Sequence, residues 1–168
     1  MFSIKKREFL FICLSVIWMV VIFFFSARNA DESTDDSYKV AIAVGHVVVP
    51  EFEKQSKEKQ MEFAARIDHP IRKCAHATEY AVLGMLFVGV VYSKKKSVKK
   101  FILKPLIWCA VYASTDEFHQ LFVEGRSGQP LDVLIDSLGA LLGILVVISI
   151  IQIIRVFFKF NIDKEKNI

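Results

Sequence analysis

The sequence predicts an all-α integral membrane protein, a bundle of four transmembrane helices with a helical extracytoplasmic loop between the first two. The first observation is composition: 54% of the 168 residues are hydrophobic and the mean hydropathy is +0.40, above the roughly 45–50% apolar content of a soluble domain. The second is that apolar segments recur at about the 20-residue length that spans a bilayer. The third is that basic residues gather at particular ends of those segments. The length predicts one domain, residues 1–168.

The first transmembrane helix is predicted over residues 9–26, which carry no charge and follow Lys5, Lys6 and Arg7. A cleaved signal peptide is the alternative, since small residues follow the stretch. Its apolar run, however, exceeds the roughly 7–15 residues of a signal peptide, and three phenylalanines at 23–25 precede the supposed cleavage site. The pattern therefore favours an uncleaved helix.

Three further apolar segments predict the remaining crossings, at residues 74–92, 101–123 and 131–158. Pro105 falls in the first turn of the predicted third helix, where a missing N–H costs little. The cysteines lie in or beside the apolar segments and show no C-x-x-C spacing, so we interpret them as packing residues rather than disulfide or zinc ligands. They are Cys13, Cys74 and Cys109.

The distribution of basic residues predicts the orientation of the helices. Loop 27–73 is balanced, with 8 basic and 9 acidic residues, whereas the tail after the fourth helix is basic. The loop between the second and third helices has five lysines and no acid, namely Lys94, Lys95, Lys96, Lys99 and Lys100. The positive-inside rule then places both termini and this lysine loop in the cytoplasm, and places loops 27–73 and 124–130 outside the cell membrane.

The long first loop, residues 27–73, divides into three parts. Residues 27–37 are polar and acidic without apolar periodicity. Residues 38–49 are apolar but too short to span, which indicates an interfacial or re-entrant element. Residues 51–66 are charged and favour a helix that ends before Pro70.

Charged side chains inside the predicted helices are the main functional signal, because a charge in a bilayer is costly and needs a partner or a function. The candidates for a polar pocket are Arg72, Lys73, His76, Glu79, Tyr80, Asp116, Glu117, Gln120, Arg126, Asp132 and Asp136. Five of them are carboxylates and only three are strong bases. The excess acid must be protonated, bound to metal, or matched by a cationic or hydrogen-bonding ligand.

Three of these carboxylates share a predicted depth. Glu79 lies six residues after Lys73, Asp116 seven residues before Val123, and Asp136 six residues after residue 130. At 1.5 Å per residue, each lies roughly 9–11 Å into its helix from the extracytoplasmic side. Three separate segments are therefore expected to meet in one layer.

A purely structural interpretation stays open beside the functional one. In that interpretation the cluster is a polar zipper between helices, and Arg126 pairs with Asp132 to close the hairpin between the third and fourth helices. Gly139 and Gly143 form a small-xxx-small face that allows close helix approach, and we interpret them as packing residues.

These residues resemble the motifs of VanZ-like membrane proteins. The pattern Arg72-Lys73-x-x-His76-x-x-Glu79-Tyr80-x-x-Leu83-Gly84 is followed in order by Asp116-Glu117-x-x-Gln120, Gly125-Arg126-x-Gly128, Asp132-Val133, Asp136 and Gly139. Ser26 fits the family pattern too, whereas Asp136 departs from it, since many members have Asn there. The resemblance covers residues 9 to about 150. It implies an integral membrane protein of Gram-positive type bacteria, in a family whose name-giving member is linked to teicoplanin resistance.

Two functional classes follow. The first is a non-enzymatic cell-envelope protein that binds a lipid, a cell-wall precursor or a lipoglycopeptide at an outer-leaflet pocket and contributes to glycopeptide resistance. The alternative is a membrane-embedded acid–base or metal-assisted enzyme acting on a lipid-linked envelope substrate, with His76 and Glu79, or Asp116 and Glu117, moving protons. His76, Glu79 and Asp116 could also supply metal ligands.

The expected partners are membrane lipids, with a lipid-linked cell-wall precursor or a glycopeptide antibiotic as the specific ligand. No nucleic acid is expected, and no cofactor is predicted. A proton-coupled transporter is a third hypothesis, but four helices would then need to oligomerise.

Overall fold

The computed structural model describes residues 4–93 and 98–165, and Lys94, Lys95 and Lys96 of the lysine loop lie outside these ranges. Over the described residues all regular structure is helical, which confirms the predicted all-α class. The helices are α1 Ile4–Ser26, α2 Ala30–Val48, α3 Lys57–Val91, α4 Val98–Gln120 and α5 Pro130–Glu165, with a 3₁₀ turn at Phe52–Lys54.

Three helices are long and apolar enough to cross a membrane, over Lys6–Ser26, Lys57–Val91 and Pro130–Phe157. The expected third crossing, α4, does not qualify on composition, because Lys104 lies near its start and Asp116 and Glu117 lie near its end. Large apolar side chains cover the outside of the bundle, among them Phe9, Ile17, Phe24, Leu142 and Ile153. Their exposure is typical of a surface that faces lipid.

The polar start of the first loop is helical, contrary to the sequence prediction. α2 begins at Ala30, and the Asn29 side chain caps it by accepting a 2.9 Å hydrogen bond from the Glu32 N–H. Two acidic residues in the first turn also favour a helix start. The apolar segment at 38–49 is therefore the second half of one amphipathic helix rather than a separate element.

The second predicted membrane helix begins 17 residues earlier than expected, at Lys57, and the prediction that a helix ends before Pro70 is wrong. A proline inside a helix costs about 3 kcal/mol, and packing against α2 offsets this cost. The Ser37 hydroxyl of α2 donates to the Asp68 carboxylate, two residues before the proline. With 35 residues, α3 is about 52 Å long, against a bilayer core of about 30 Å.

The ends of α4 also differ from the prediction. The helix begins at Val98 and ends at Gln120, so Pro105 lies inside it rather than in its first turn. Pro105 is fully buried. After a short loop, Pro130 is the first residue of α5, a position that suits proline because the N–H is not needed there.

The core of the bundle forms between α3 and its neighbours α1, α4 and α5. One buried cluster contains Ile22, Tyr80, Leu83, Cys109, Ala113 and Ala140, and a second contains Val88, Val91, Phe101, Ile144 and Ile148. Cys109 is a buried core residue, whereas Cys74 is exposed. The backbones of α3 and α5 approach closely: a Cβ at Gly139 or Gly143 would lie 2.1 Å from the carbonyl oxygen of Ala77 or Ala81 respectively.

Candidate functional site

The ends of α1 and α4 meet α3 at one end of the bundle, and this is where the polar residues collect. The Ser26 hydroxyl, at the last residue of α1, donates a 2.7 Å hydrogen bond to Asp116 Oδ2. Gln120 Nε2 lies 3.4 Å from the same hydroxyl as a second donor. All three side chains are buried, so the contact ties α1 to α4 away from solvent.

A buried acid layer lies beside this contact, in which Asp116 and Asp136 are buried and Glu79 is partly exposed. Glu79, Asp116 and Asp136, which the sequence predicts at one depth, are close enough to interact electrostatically. Tyr80 is fully buried next to them and Asp136 is 1% exposed. Several of their polar atoms have no hydrogen-bond partner among the described residues: Glu79 Oε2, Tyr80 Oη, Asp116 Oδ1 and both carboxyl oxygens of Asp136. The layer therefore has unused capacity to bind protons or hydrogen-bond donors.

Glu117 interacts electrostatically with Asp116 and Asp136 of this layer and also contacts the loop that follows α4. Its Oε2 accepts a 2.8 Å hydrogen bond from the Gln129 N–H, just before α5 begins. A Cβ at Gly128 would lie 2.3 Å from the Glu117 carbonyl oxygen, so the loop between α4 and α5 folds tightly against the end of α4. Glu117 thus holds this loop in place.

The ion pair expected between Arg126 and Asp132 is replaced by another. Lys73 of α3 pairs with Asp132 in the first turn of α5, and both side chains are 19% exposed. Arg126 instead donates from Nε to the Arg28 carbonyl oxygen at 3.3 Å. The start of α5 is therefore tied to α3 through Lys73 rather than to its own preceding loop through Arg126.

Arg126 is one of four cations at this end of the bundle. Arg28 pairs with Asp36, and Arg72 pairs with Asp68 at 3.0 Å. Arg126 forms no ion pair within 4.0 Å among the described residues. Burial and the neighbouring Arg72 lower the pKa of Arg126, while nearby acids of α4 raise it. Because an arginine pKa starts so high, the guanidinium remains charged.

Two small cavities meet at Arg126. One of about 120 Å³ is polar and is lined by Arg72, Lys73, His76, Gln120, Arg126 and Asp132, among others. The other, of about 130 Å³, lies between α1, α2 and α3, and its lining includes Phe25, Arg28, Ile71, His76, Glu79 and Arg126. Arg72, His76 and Arg126 line both cavities. The candidate site is therefore one polar recess with two lobes.

The eleven predicted candidates fall into three places. Seven line the recess: Arg72, Lys73, His76, Glu79, Gln120, Arg126 and Asp132. Tyr80, Asp116 and Asp136 lie in the buried acid layer, and Glu117 supports the loop. Sequence reasoning missed Arg28, because it is one of eight bases in a loop whose α2 helix was not recognised. Its position two residues after the end of α1 was the available signal.

The recess offers hydrogen-bond donors, positive charge and two potential proton carriers, but the described residues include no group of three or more His, Cys, Asp or Glu side chains arranged to hold a metal ion. The fold and site thus define a helical membrane-type protein with a polar recess at one end of its bundle. A sequence model of the VanZ/LLP1 family matches residues 11–155, so the chain belongs to this family. The resemblance seen in the motifs is confirmed. No curated protein and no solved structure matches the chain.

Proposed function

We propose that this protein is a multi-pass cell-envelope protein whose recess opens at the outer leaflet and binds a lipid, a cell-wall precursor or a lipoglycopeptide. One observation carries the proposal: a polar cavity and a cavity with an apolar wall meet at Arg126, at the end of a bundle with apolar, exposed sides. Arg126 makes no ion pair among the described residues. A molecule with a polar head and an apolar tail matches both surfaces. In this family setting, such binding would contribute to glycopeptide resistance.

The path of α4 supports four crossings. Phe101 near its start stacks on Tyr92 at the end of α3, with ring centroids 5.5 Å apart, while Gln120 at its last residue reaches Ser26. The helix therefore runs the full length of the bundle. Its acids are buried among the other helices, so they face the interior of the bundle rather than lipid, as ionisable residues of membrane-spanning helices usually do.

Orientation is tested by cysteine labelling in a background without the three native cysteines. We expect an impermeant thiol reagent to label Asp35→Cys and Ser127→Cys in intact cells and to label Lys99→Cys only after lysis. All three positions are exposed. Labelling of Lys99→Cys alone in intact cells would invert the proposed topology.

The binding role is tested with two variants, the isosteric Glu79→Gln and the charge-conserving Arg126→Lys. Lysine keeps the charge but cannot form the two-pronged contact of a guanidinium with phosphate or carboxylate. We expect both variants to lose teicoplanin protection in a susceptible Gram-positive host, with normal expression and melting. Matched controls are Glu62→Gln and Arg66→Lys, which change the two members of an exposed ion pair near the start of α3. Full activity of both recess variants would refute the pocket and leave its charges as structural pairs.

Acid–base catalysis on a lipid-linked substrate is the second candidate, favoured by one observation. His76 and Glu79 lie one helical turn apart on the second cavity, and neither His76 Nδ1 nor Glu79 Oε2 has a hydrogen-bond partner within the described part of the chain. Such a pair could move a proton to or from a bound headgroup. We expect His76→Gln to abolish turnover of a lipid-linked pyrophosphate while leaving its binding intact. Absence of turnover by the wild-type protein would exclude this activity on that substrate.

A further inference from the structure

We propose that the group bound in the recess is an anion, a phosphate or carboxylate carried by an amphiphile, and that Arg126 binds it with the chain against Phe25, Ile71 and Ala75. This inference rests on the proposed function and specifies the ligand's charge and orientation.

The cations of the recess differ in whether they are paired. Arg28, Arg72 and Lys73 each have a carboxylate partner, and each such pair is close to neutral. Arg126 has none among the described residues, although Glu79 lines the same cavity. Arg126 is thus the cation of the recess that no described carboxylate approaches within 4.0 Å, and the nearby acids Glu79, Asp116 and Glu117 act on it only from a greater distance.

The Arg126 guanidinium is anchored on one side only. Arg126 uses Nε to bind the Arg28 carbonyl oxygen, and its two terminal amino groups make no hydrogen bond to the described residues. Arg126 lines both lobes of the recess. Two parallel N–H donors of a guanidinium match the spacing of two oxygens in a phosphate or carboxylate. Arg72, which lines both lobes too, adds positive charge next to it.

The two lobes differ in lining, which orients the amphiphile. The lobe between α1, α2 and α3 has an apolar wall of Phe25, Ile71 and Ala75, whereas the other lobe is lined by charged and amide side chains. Phe25 is half-exposed at the surface of the bundle, so the apolar lobe borders the lipid-facing side. The chain therefore enters past Phe25 and the anionic group stops at Arg126.

The size of the recess limits what is bound. Lobes of about 120 and 130 Å³ are smaller than the roughly 300–1,000 Å³ of a site that encloses a drug-sized ligand. The recess accommodates a phosphate-sized group and the adjoining methylenes. A larger sugar or peptide headgroup would remain outside, in contact with the loop between α4 and α5.

The test compares lipids with the same acyl chains and different headgroup charge, bound to the purified full-length protein and measured by native mass spectrometry. Phosphatidic acid and phosphatidylglycerol are the anionic probes, and diacylglycerol is the neutral one. One charge-assisted contact predicts binding of the anionic probes about 10- to 100-fold tighter than diacylglycerol. We expect Arg126→Gln to remove this preference, Arg126→Lys to reduce it, and the control Arg66→Gln to keep it.

The outcomes separate the inference from the proposed function. Equal binding of charged and neutral lipids by the wild-type protein overturns the anion site but leaves an amphiphile-binding pocket. Binding of no probe and no co-purified amphiphile overturns both. If millimolar inorganic phosphate displaces the anionic lipids, and their affinity does not depend on acyl-chain length, the site binds a free anion. That result overturns the proposal that the ligand is an amphiphile. A charge preference that survives in a folded Arg126→Gln assigns the anion to another residue and also refutes the proposal.

Discussion

Replacing the glycines between α3 and α5 by alanine should destabilise the bundle. Alanine is the better helix former by about 1 kcal/mol, so without a steric conflict both Gly139→Ala and Gly143→Ala would be stabilising. The structure predicts the opposite. The added Cβ would lie 2.1 Å from the carbonyl oxygen of Ala77 or Ala81, against 3.4 Å or more in an ordinary contact, so the helices would have to separate by about 1.3 Å.

The expected cost follows from that separation. Forcing an extra carbon into a well-packed interface costs roughly 1–3 kcal/mol. Because the obstacle in each case is backbone, a rotamer change cannot relieve it. One separation of α3 from α5 would relieve both conflicts, so the double variant should cost less than the sum of the single ones.

The assay is the apparent Tm of the detergent-solubilised protein, where a change of 1 kcal/mol corresponds to roughly 2–4 °C for a chain of this size. The matched control is Gly89→Ala, whose Cβ would meet the Phe11 ring, a side chain that can move. We expect a smaller loss there than at Gly139. A Tm at or above that of the wild type for both Gly139→Ala and Gly143→Ala would contradict the close approach of the two helices.

Three further predictions concern single polar groups. Asp136→Asn should keep the Tm within about 2 °C of the wild type, since a neutral amide of the same shape suits a buried site without ion pairs better than a charge; a large loss in the melting assay would indicate a charged partner for Asp136. Ser26→Ala should lower stability by about 1–3 kcal/mol, measured by chemical denaturation in mixed micelles, because it leaves the buried Asp116 oxygen without its donor; an unchanged midpoint would argue against that bond. Basic neighbours lower the pKa of Asp36 below its ordinary value of 3.8, so its contribution to holding α2 is present above that pH and is lost as the pH falls through the still lower native pKa. The hydrogen-exchange protection factors of α2, which compare the observed rate with the intrinsic rate at each pH, should therefore stay constant from pH 7 to 5 and fall only in stronger acid, and Asp36→Asn should remove this dependence.

The hydropathy and motif spacing of the sequence were enough to predict the helical class, the family and the apolar segments. Helix formation over 9–26 and 131–158 needs no tertiary information, because an uninterrupted apolar stretch must satisfy its backbone internally in a membrane. The periodicity of α3, α4 and α5 likewise placed Glu79, Asp116 and Asp136 toward one another. Such local patterns can be predicted from the sequence because each depends on the spacing of residues within one helix.

Tertiary structure decided the features that depend on competition between distant groups. Whether a helix continues through Pro70 depends on packing against α2, whose contacts offset the lost backbone bond. The choice of Lys73 rather than Arg126 as the partner of Asp132 depends on how α3 meets the start of α5. That choice leaves the Arg126 guanidinium free of an ion pair among the described residues, next to both cavities. Spacing along the chain cannot determine it, because Lys73 lies 59 residues from Asp132 in sequence and the free energy of pairing is decided by distance and burial in the folded bundle.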